Sequence, residues 1–208
     1  GILHRGAAWF KAQGRNGNGL KYLGLSGHVE RPGVYEVPLG LSVAEFLQDY
    51  GGGMRAGKKL KAFSPGGASS GFLPASMADV ALDFQSLTQV GSMLGSGAVV
   101  ALAEGVCMLD LALNVVTFFR NESCGKCVPC RVGSDKIVQI LTRATQGQAT
   151  TRDIDLISEL AETMQLTSIC GLGQAAPLPI TSALKYFGDE IMTHLTDKRC
   201  PEGVCFRH

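Results

Sequence analysis

The sequence has almost no excess charge of either sign and no long uninterrupted apolar run. Its 19 basic and 18 acidic side chains leave a formal net charge of +1. Without a block of basic residues interleaved with aromatics, a nucleic-acid partner is not expected. The most apolar segment, residues 99–119, contains Glu104 and Asp110 and is interrupted by Gly105, so it does not meet the criteria for a membrane-spanning helix. No signal peptide is visible either.

Aromatic residues are also scarce, at 7% of the chain with a single tryptophan, Trp9. Even so, 45% hydrophobic and 18% charged residues over 208 positions are typical of one large or two small globular domains. The chain begins at Gly1 without an initiator methionine, and only a short segment precedes the glycine-rich stretch AQGRNGNG. We therefore expect part of a longer protein, in which residues 1–19 form a small anchor followed by a flexible joint.

The residue that the sequence uses most distinctively is cysteine. Its seven cysteines cluster with glycine and proline, which indicates metal ligation in a reducing compartment, by default the cytosol, and not a secreted disulfide framework. Cys124, Cys127 and Cys130 are each three residues apart in ESCGKCVPCR, and Cys170 follows in SICGLG. Four thiolates around one centre are the ligands of a 4Fe–4S cluster. A four-cysteine zinc site is the alternative, but it usually shows two separate C-x2-C pairs.

Residues beside these cysteines fit an iron–sulfur cluster. Gly125, Gly171 and Gly173 would let the backbone approach cluster sulfides, and Lys126 and Arg131 place positive charge nearby, which raises the potential. Two-cluster ferredoxins carry a fourth cysteine directly after the first three. Its absence here predicts one self-contained cluster, and therefore an electron-transfer protein.

A second cysteine group stands near the end of the chain. His194, Cys200 and Cys205 have the spacing H-x5-C-x4-C, and Cys107 remains from earlier in the sequence. Three sulfurs and one imidazole make a recognised zinc shell, which would fix the tail against the start of a helix at Cys107. The alternatives are a surface histidine beside unligated thiols, or a Cys200–Cys205 disulfide formed on oxidation.

The first half of the chain predicts a small α+β unit over residues 20–103. Segments 21–27 and 33–37 are short strands of a hairpin, with Pro32 and Gly33 at the centre of a tight turn. Ser42 and Glu45 form a capping box that begins a helix. Further strands are expected at 61–64, 71–74 and 98–102. The loop PGGASSG is either an anion nest or a plain tight loop, and we favour the tight loop.

The second half predicts a helical bundle, with the cysteine loops at helix ends. After residue 107 the apolar residues follow a helical period along one stripe, and similar patterns recur after the third cysteine, before Cys170 and after Pro179. Cys130 and Cys170 are placed just ahead of helices. The stripe consists of Met108, Leu111, Val115, Phe118 and Phe119.

The segments SGHVERPGVYEVPLG, ESCGKCVPCRVGS and SICGLGQAAPLP together resemble the C-terminal half of the NADH-binding flavoprotein family. The resemblance covers nearly the whole chain. It implies a β-grasp domain of the SLBB type at 20–103, a helical 4Fe–4S domain at 104–208, and the end of an upstream FMN- and NADH-binding domain at 1–19. Carried over by position, the cluster ligands are Cys124, Cys127, Cys130 and Cys170.

The family includes the FMN subunit of respiratory complex I, the diaphorase subunit of NAD-reducing hydrogenases, and the β subunit of cytosolic NAD-dependent, molybdenum-containing formate dehydrogenases. CGKCVPCR is most similar to the formate dehydrogenase subunit, because complex I members tend to carry threonine where Val128 stands. The implied partners are a 2Fe–2S thioredoxin-like γ subunit and a molybdenum-containing α subunit.

The resemblance implies that FMN and NAD bind to the full-length subunit. No catalytic residue of hydride transfer is expected in this chain. The sequence contains no G-x-G-x-x-G, so we expect this chain alone to bind neither FMN nor NADH tightly. The alternative from another class is a zinc-stabilised interaction module without a redox role.

Overall fold

The computed structural model describes residues 1–17 and 19–206, and Asn18 of the predicted glycine-rich joint lies outside them. The chain divides into two compact units, Gly1–Glu104 and Gly105–His208. Among the described residues, no helix combines the length and the hydropathy needed to cross a bilayer.

The first unit is built around a five-stranded sheet with the strand order β2-β1-β5-β3-β4. The strands are β1 (Leu20–Gly27), β2 (Gly33–Pro38), β3 (Leu60–Ser64), β4 (Leu73–Pro74) and β5 (Ala98–Ala103). The helices are α1 (Ile2–Ala12), α2 (Val43–Glu45), which a wider turn extends over Phe46–Tyr50, and α3 (Phe84–Gln89). Short 3-10 turns occupy Arg15–Gly17, Arg55–Gly57, Ala68–Ser70 and Ala75–Met77.

The strand β5 lies at the centre of this sheet, parallel to β1 and antiparallel to β3. Its sequence AVVALA is apolar throughout, and the side chains of Val99 and Ala101 are fully buried. A short continuous apolar run is consistent with a buried strand. The prediction of a buried strand at 98–102 is therefore confirmed.

The predicted hairpin is present, but its turn is not the one expected. β1 and β2 pair antiparallel, and Gly33 belongs to β2, where it lies opposite Leu25. The connection is therefore a five-residue loop, 28–32, and the tight turn centred on Pro32 and Gly33 is wrong. The loop is held from outside the hairpin, because the amides of Glu30 and Arg31 donate to the carbonyls of Gly53 (3.1 Å) and Gly51 (2.8 Å).

The predicted capping box begins α2. The hydroxyl of Ser42 accepts the amide of Glu45 at 3.1 Å, and the Glu45 carboxylate accepts the amide of Ser42 at 2.7 Å. The guanidinium of Arg15 also donates to both carboxylate oxygens, at 2.7 and 2.9 Å. The hydrogen bonds from Arg15 and then from the Ser42 backbone lower the pKa of Glu45 to about 2.

This lowered pKa predicts an acid-sensitive contribution to stability. An unfolded glutamate has a pKa of about 4.3, so the stabilising bonds of Glu45 are fully present above that pH and are lost as pH falls toward 2. We expect the melting temperature of the unmodified protein to exceed that of Glu45→Gln at pH 7 and the difference to vanish near pH 2. Glu36→Gln, which removes an exposed charge from β2, is the charge-matched control. A difference that persists unchanged at pH 2 would contradict the interpretation.

The loop PGGASSG is closed by its own hydrogen bonds. The Ser70 hydroxyl accepts the amide of Gly66 at 3.0 Å and lies 2.9 Å from the Ser64 hydroxyl. A side chain at position 66 would come within 2.4 Å of the Met93 carbonyl. The amide of Gly66 and both hydroxyls are thus used within the loop, as expected for the tight loop that we favoured.

The second unit consists of five helices in the described residues. These are α4 (Met108–Glu122), α5 (Val128–Thr145), α6 (Arg152–Thr167), α7 (Gly171–Ala175) and α8 (Leu178–Thr196). Helix α4 packs against α5 and α8, and α6 packs against α5 and α7. An α+β unit followed by a helical unit is therefore the observed fold class, as predicted.

Two details of the helical unit differ from the prediction. The buried face of α4 contains Leu109, Ala112 and Val116 together with Met108 and Phe119, whereas Phe118 is half exposed. Both faces of α4 carry apolar residues. The helical spacing of these residues therefore does not identify which face is buried. Helix α5 also begins earlier than expected, at Val128, with a proline in its first turn. Cys130 therefore lies inside the first turn of α5 and not ahead of it.

Candidate metal centres

The first cysteine group lies around the N-terminal ends of α5 and α7. Cys124 is in the loop between α4 and α5, Cys127 immediately precedes α5, and Cys130 is in its first turn. Cys170 immediately precedes α7. Cys130 is buried and Cys127 half-buried, while Cys124 and Cys170 are exposed. The group therefore reaches from the interior to the surface of the unit.

The segment of Cys170 favours ionisation of the Cys127 thiol. The backbone amide of Ile169 and then that of Cys130 donate to the Cys127 sulfur, and together with the charge of Arg131 they lower the pKa of that thiol. Ile169 precedes Cys170 in the chain. The tertiary structure thus brings together two segments that are about forty residues apart in sequence, and it favours the thiolate that a metal ligand requires.

Gly173 allows this close approach. A Cβ atom at position 173 would lie 2.5 Å from the Ser168 hydroxyl oxygen and 2.9 Å from the Cβ of Cys130. Real Cβ atoms do not approach other heavy atoms so closely. Only glycine therefore lets α7 pack against the first turn of α5, which places the Cys170 segment beside Cys130.

Two serine hydroxyls also face this region. The Ser123 oxygen lies 3.2 Å from the Cys130 sulfur and accepts the amide of Gly125 at 3.3 Å. The buried Ser168 hydroxyl has no hydrogen-bond partner among the residues that the structure describes. An unpartnered buried hydroxyl is costly, and a thiolate or sulfide of a cluster is an acceptor that would satisfy it. The unpartnered hydroxyl, the packing at Gly173 and the four thiols all fit an iron–sulfur cluster.

Sequence reasoning missed both serines. The available signal is their position, because Ser123 directly precedes Cys124 and Ser168 lies two residues before Cys170. Serine at such a distance from a cysteine is common, however, and only the burial of Ser168 and the contact of Ser123 with Cys130 distinguish them.

Positive charge surrounds one side of the first group. Arg131 donates a hydrogen bond to the Gly125 carbonyl, which closes the loop that carries Cys124. Arg120, Arg131 and Lys136 line an open cavity of about 380 Å³ beside Ser123. The predicted position of Arg131 near the cysteines is therefore observed, and Lys126 lies exposed in the same loop.

The structure also brings the second group together. The ligand atoms of Cys107, His194, Cys200 and Cys205 all lie within 4.8 Å of one another. The Cys107 sulfur is 3.4 Å from Nε2 of His194 and 3.6 Å from the Cys205 sulfur. His194 is fully buried, so the alternative of a surface histidine is wrong. All seven cysteines are free thiols in this structure.

The thiols of this second group ionise very differently. Burial raises the pKa of Cys107 to about 12, and burial and the neighbouring Cys107 raise the pKa of Cys205. At Cys200 burial acts in the same direction, but hydrogen bonds from the amides of Cys205 and Val204 outweigh it and lower the pKa to about 6. Cys200 is therefore the thiol of this group that ionises most readily.

Comparison with protein families gives two matches. Residues 110–194 match the NADH-ubiquinone oxidoreductase-F iron–sulfur binding region, and residues 22–73 match the SLBB domain. Cys124, Cys127, Cys130 and Cys170 all lie within the first match. The chain therefore belongs to the class of proteins that combine an SLBB domain with an iron–sulfur binding region.

Curated relatives and a solved structure agree with this class. An NADH-quinone oxidoreductase subunit of Rhizobium meliloti (strain 1021) is 41% identical over 201 residues, which are 96% of this chain and 48% of the relative. NADP-reducing hydrogenase subunit HndC of Solidesulfovibrio fructosivorans is 42% identical over 205 residues, 98% of this chain and 42% of the relative. The crystal structure of an H2-reduced NAD+-reducing [NiFe]-hydrogenase superposes with a TM-score of 0.84 at 29% identity, over 93% of this chain and 33% of that one.

These matches identify the particular family. The chain belongs to the NADH-binding flavoprotein family and corresponds to its C-terminal part. It spans about half the length of the curated relatives it matches.

Proposed function

We propose that this chain is the electron-relay part of an NAD(H)-linked flavoprotein oxidoreductase subunit, in which Cys124, Cys127, Cys130 and Cys170 ligate one 4Fe–4S cluster. The observation that supports this most strongly is the packing at Gly173. It leaves no space for a side chain, because Ser168 and Cys130 both lie within 2.9 Å of where a Cβ atom would stand.

Hydrogen-bond donors lie beside two of the four sulfurs, those of Cys127 and Cys130. The amides of Ile169 and Cys130 donate to the Cys127 sulfur, Ser123 is within hydrogen-bond distance of the Cys130 sulfur, and the Ser168 hydroxyl is available as a further donor. Such hydrogen bonds to sulfur, with the positive charge of Arg131, raise the reduction potential of an iron–sulfur centre.

When bound, a 4Fe–4S cluster supplies a one-electron carrier, which can connect a two-electron flavin to a series of single-electron centres. The chain's own contribution is to bury one side of the site and expose the other. Cys130 is buried, whereas Cys124 and Cys170 are exposed. The neighbouring side chains of Val128 and Ile169 are 59% and 70% exposed. This apolar edge is suited to contact with an electron-accepting iron–sulfur subunit.

The domain organisation follows the family. Residues 20–103 form the SLBB-like domain and 104–208 the cluster domain, in keeping with the division into compact units after Glu104. Residues 1–19 are the end of an FMN- and NADH-binding domain, and FMN and NAD therefore act in the full-length subunit.

For the physiological complex, we favour an NAD-dependent, molybdenum-containing formate dehydrogenase of the cytosol. The supporting feature is Val128 in CGKCVPCR. The partners are then a 2Fe–2S thioredoxin-like γ subunit and a molybdenum-containing α subunit. The diaphorase subunit of a hydrogenase is the second candidate, because relatives from an NADP-reducing and an NAD+-reducing hydrogenase match nearly the whole chain. The FMN subunit of complex I is a further candidate, because its four cysteines would give the same chemistry at the cluster.

Anaerobic purification of the full-length subunit with its natural partners tests this proposal. We expect about four iron atoms and about four acid-labile sulfides in this subunit, with a signal in electron paramagnetic resonance that appears on reduction. Formate-dependent reduction of NAD+ and co-purifying molybdenum identify the favoured complex, and nickel identifies the hydrogenase. Protein that lacks iron and sulfide after anaerobic expression would leave the zinc-stabilised interaction module instead.

A further inference from the structure

The second cysteine group has the dimensions of a single metal ion. With metal–sulfur distances of about 2.3 Å and metal–nitrogen distances of about 2.0 Å, the donor atoms of a tetrahedral zinc site lie about 3.5–3.8 Å apart. The Cys107 sulfur lies 3.4 Å from the His194 nitrogen and 3.6 Å from the Cys205 sulfur, and no pair in the group exceeds 4.8 Å. A four-iron cubane holds its thiolates further apart, because each thiolate binds a different iron.

The imidazole of His194 is oriented for ligation. Its Nδ1 lies 2.8 Å from the backbone carbonyl of Glu190, one turn earlier in α8. A carbonyl only accepts, so Nδ1 carries the proton and the lone pair of Nε2 faces the Cys107 sulfur. A hydrogen bond of this kind from the second ring nitrogen is the usual support of a metal-bound histidine. The ring is fully buried and also contacts Phe206, with the ring centres 6.0 Å apart.

The two tail cysteines lie on one tight turn. The amide of Gly203 donates to the Cys200 carbonyl at 3.1 Å, and the amide of Val204 donates to the Cys200 sulfur at 3.3 Å. Gly203 has a φ of 66°, which glycine adopts without strain. The turn directs Cys200 and Cys205 toward Cys107. An amide donor to sulfur stabilises a thiolate and reduces its charge, as in other thiolate sites.

We propose that Cys107, His194, Cys200 and Cys205 bind one zinc ion in a closed tetrahedral site. Three thiolates and one imidazole are a zinc-selective donor set, and four protein ligands leave no position for substrate, so the site is structural. The ion joins the start of α4, the last turn of α8 and the tail turn, and so fixes residues 200–206 to the helices. The site is independent of the four cysteines proposed to bind the cluster.

The metal content of the full-length protein tests the proposal without any substitution. We expect about one zinc per chain after expression in zinc-replete medium, with a zinc X-ray absorption spectrum that fits about three sulfurs near 2.3 Å and about one nitrogen near 2.0 Å. Zinc that is absent, or that is surrounded only by oxygen and nitrogen, overturns the proposal. A Cys200–Cys205 disulfide found by mass spectrometry of the freshly purified, alkylated protein does so as well.

Substitutions then locate the ion. Cys205→Ser removes one ligand and is expected to lower the affinity for zinc by about tenfold or more, at least as much as the loss of a partner that only supports a ligand. Cys124→Ser is the matched control, because it removes one thiol from the other group and should leave zinc unchanged while iron is lost. Zinc that persists in Cys205→Ser and disappears in Cys124→Ser would place it at the first group and refute the assignment. If Cys205→Ser does not fold, the absorption spectrum of the unmodified protein still decides the matter.

Discussion

Replacing Cys170 with alanine is expected to abolish the reducible four-iron signal of this protein. The cubane needs one thiolate for each iron, and Cys124, Cys127 and Cys130 supply only three. Cys170 is exposed at the start of α7, so its loss leaves no cavity in the core and the fold should survive. The effect is therefore chemical and not a consequence of unfolding. Iron analysis, visible absorption and electron paramagnetic resonance of anaerobically purified protein measure it.

Ile169→Ala is the matched control for this experiment. The Ile169 side chain is 70% exposed, and alanine keeps the backbone amide that donates to the Cys127 sulfur. We expect this variant to retain about four irons and an unchanged signal. A Cys170→Ala protein that also retains them would show that Cys170 is not a ligand, and the proposed ligand set would then be wrong.

Replacing Gly173 with alanine is expected to destabilise the helical unit and to reduce its iron content. The new methyl group would lie 2.5 Å from the Ser168 oxygen and 2.9 Å from the Cβ of Cys130, so α7 has to move away from α5. Overpacking of this kind costs about 1–3 kcal/mol. The displacement also carries Cys170 away from the other three thiols. Unfolding by denaturant gives the stability change, and iron per chain gives the loss of cluster.

Gly171 offers a control in the same helix. Gly171 is the first residue of α7, and a Cβ atom there would meet no other atom within 4 Å. Gly171→Ala should therefore be neutral or slightly stabilising and should keep its iron. If Gly173→Ala and Gly171→Ala behave alike, the close packing at position 173 does not position Cys170.

The sequence predicted local structure well where one signal was sufficient. The capping box of Ser42 and Glu45 has a fixed spacing and forms as expected. The apolar run at 98–102 favours a buried strand, and it forms the central strand of the sheet. On α4, however, Leu111 and Val115 are as apolar as Ala112 and Val116. The choice of buried face depended on what α5 and α8 present to the helix, and no local pattern contains that information.

The turn of the hairpin shows a similar limit. Pro32 and Gly33 are typical of a tight turn, but Gly33 joins the strand because the amides of Glu30 and Arg31 bond to the glycine segment after the wider turn. Those carbonyls are about twenty residues away in sequence. A tertiary contact therefore overrode a local preference.

For the candidate metal centres, the sequence by itself determined which side chains could act as ligands and how they are grouped. Cysteines three residues apart in ESCGKCVPCR can be brought to one centre by a tight turn of the backbone, and only four residues separate Cys200 from Cys205. Only the tertiary structure decided what approaches them from a distance. It buries His194 beside Cys107, packs Gly173 against Cys130, and leaves the Ser168 hydroxyl without a partner among the described residues. The physical reason is that spacing constrains neighbours along the chain, whereas burial and unsatisfied hydrogen bonds arise only when separate helices pack.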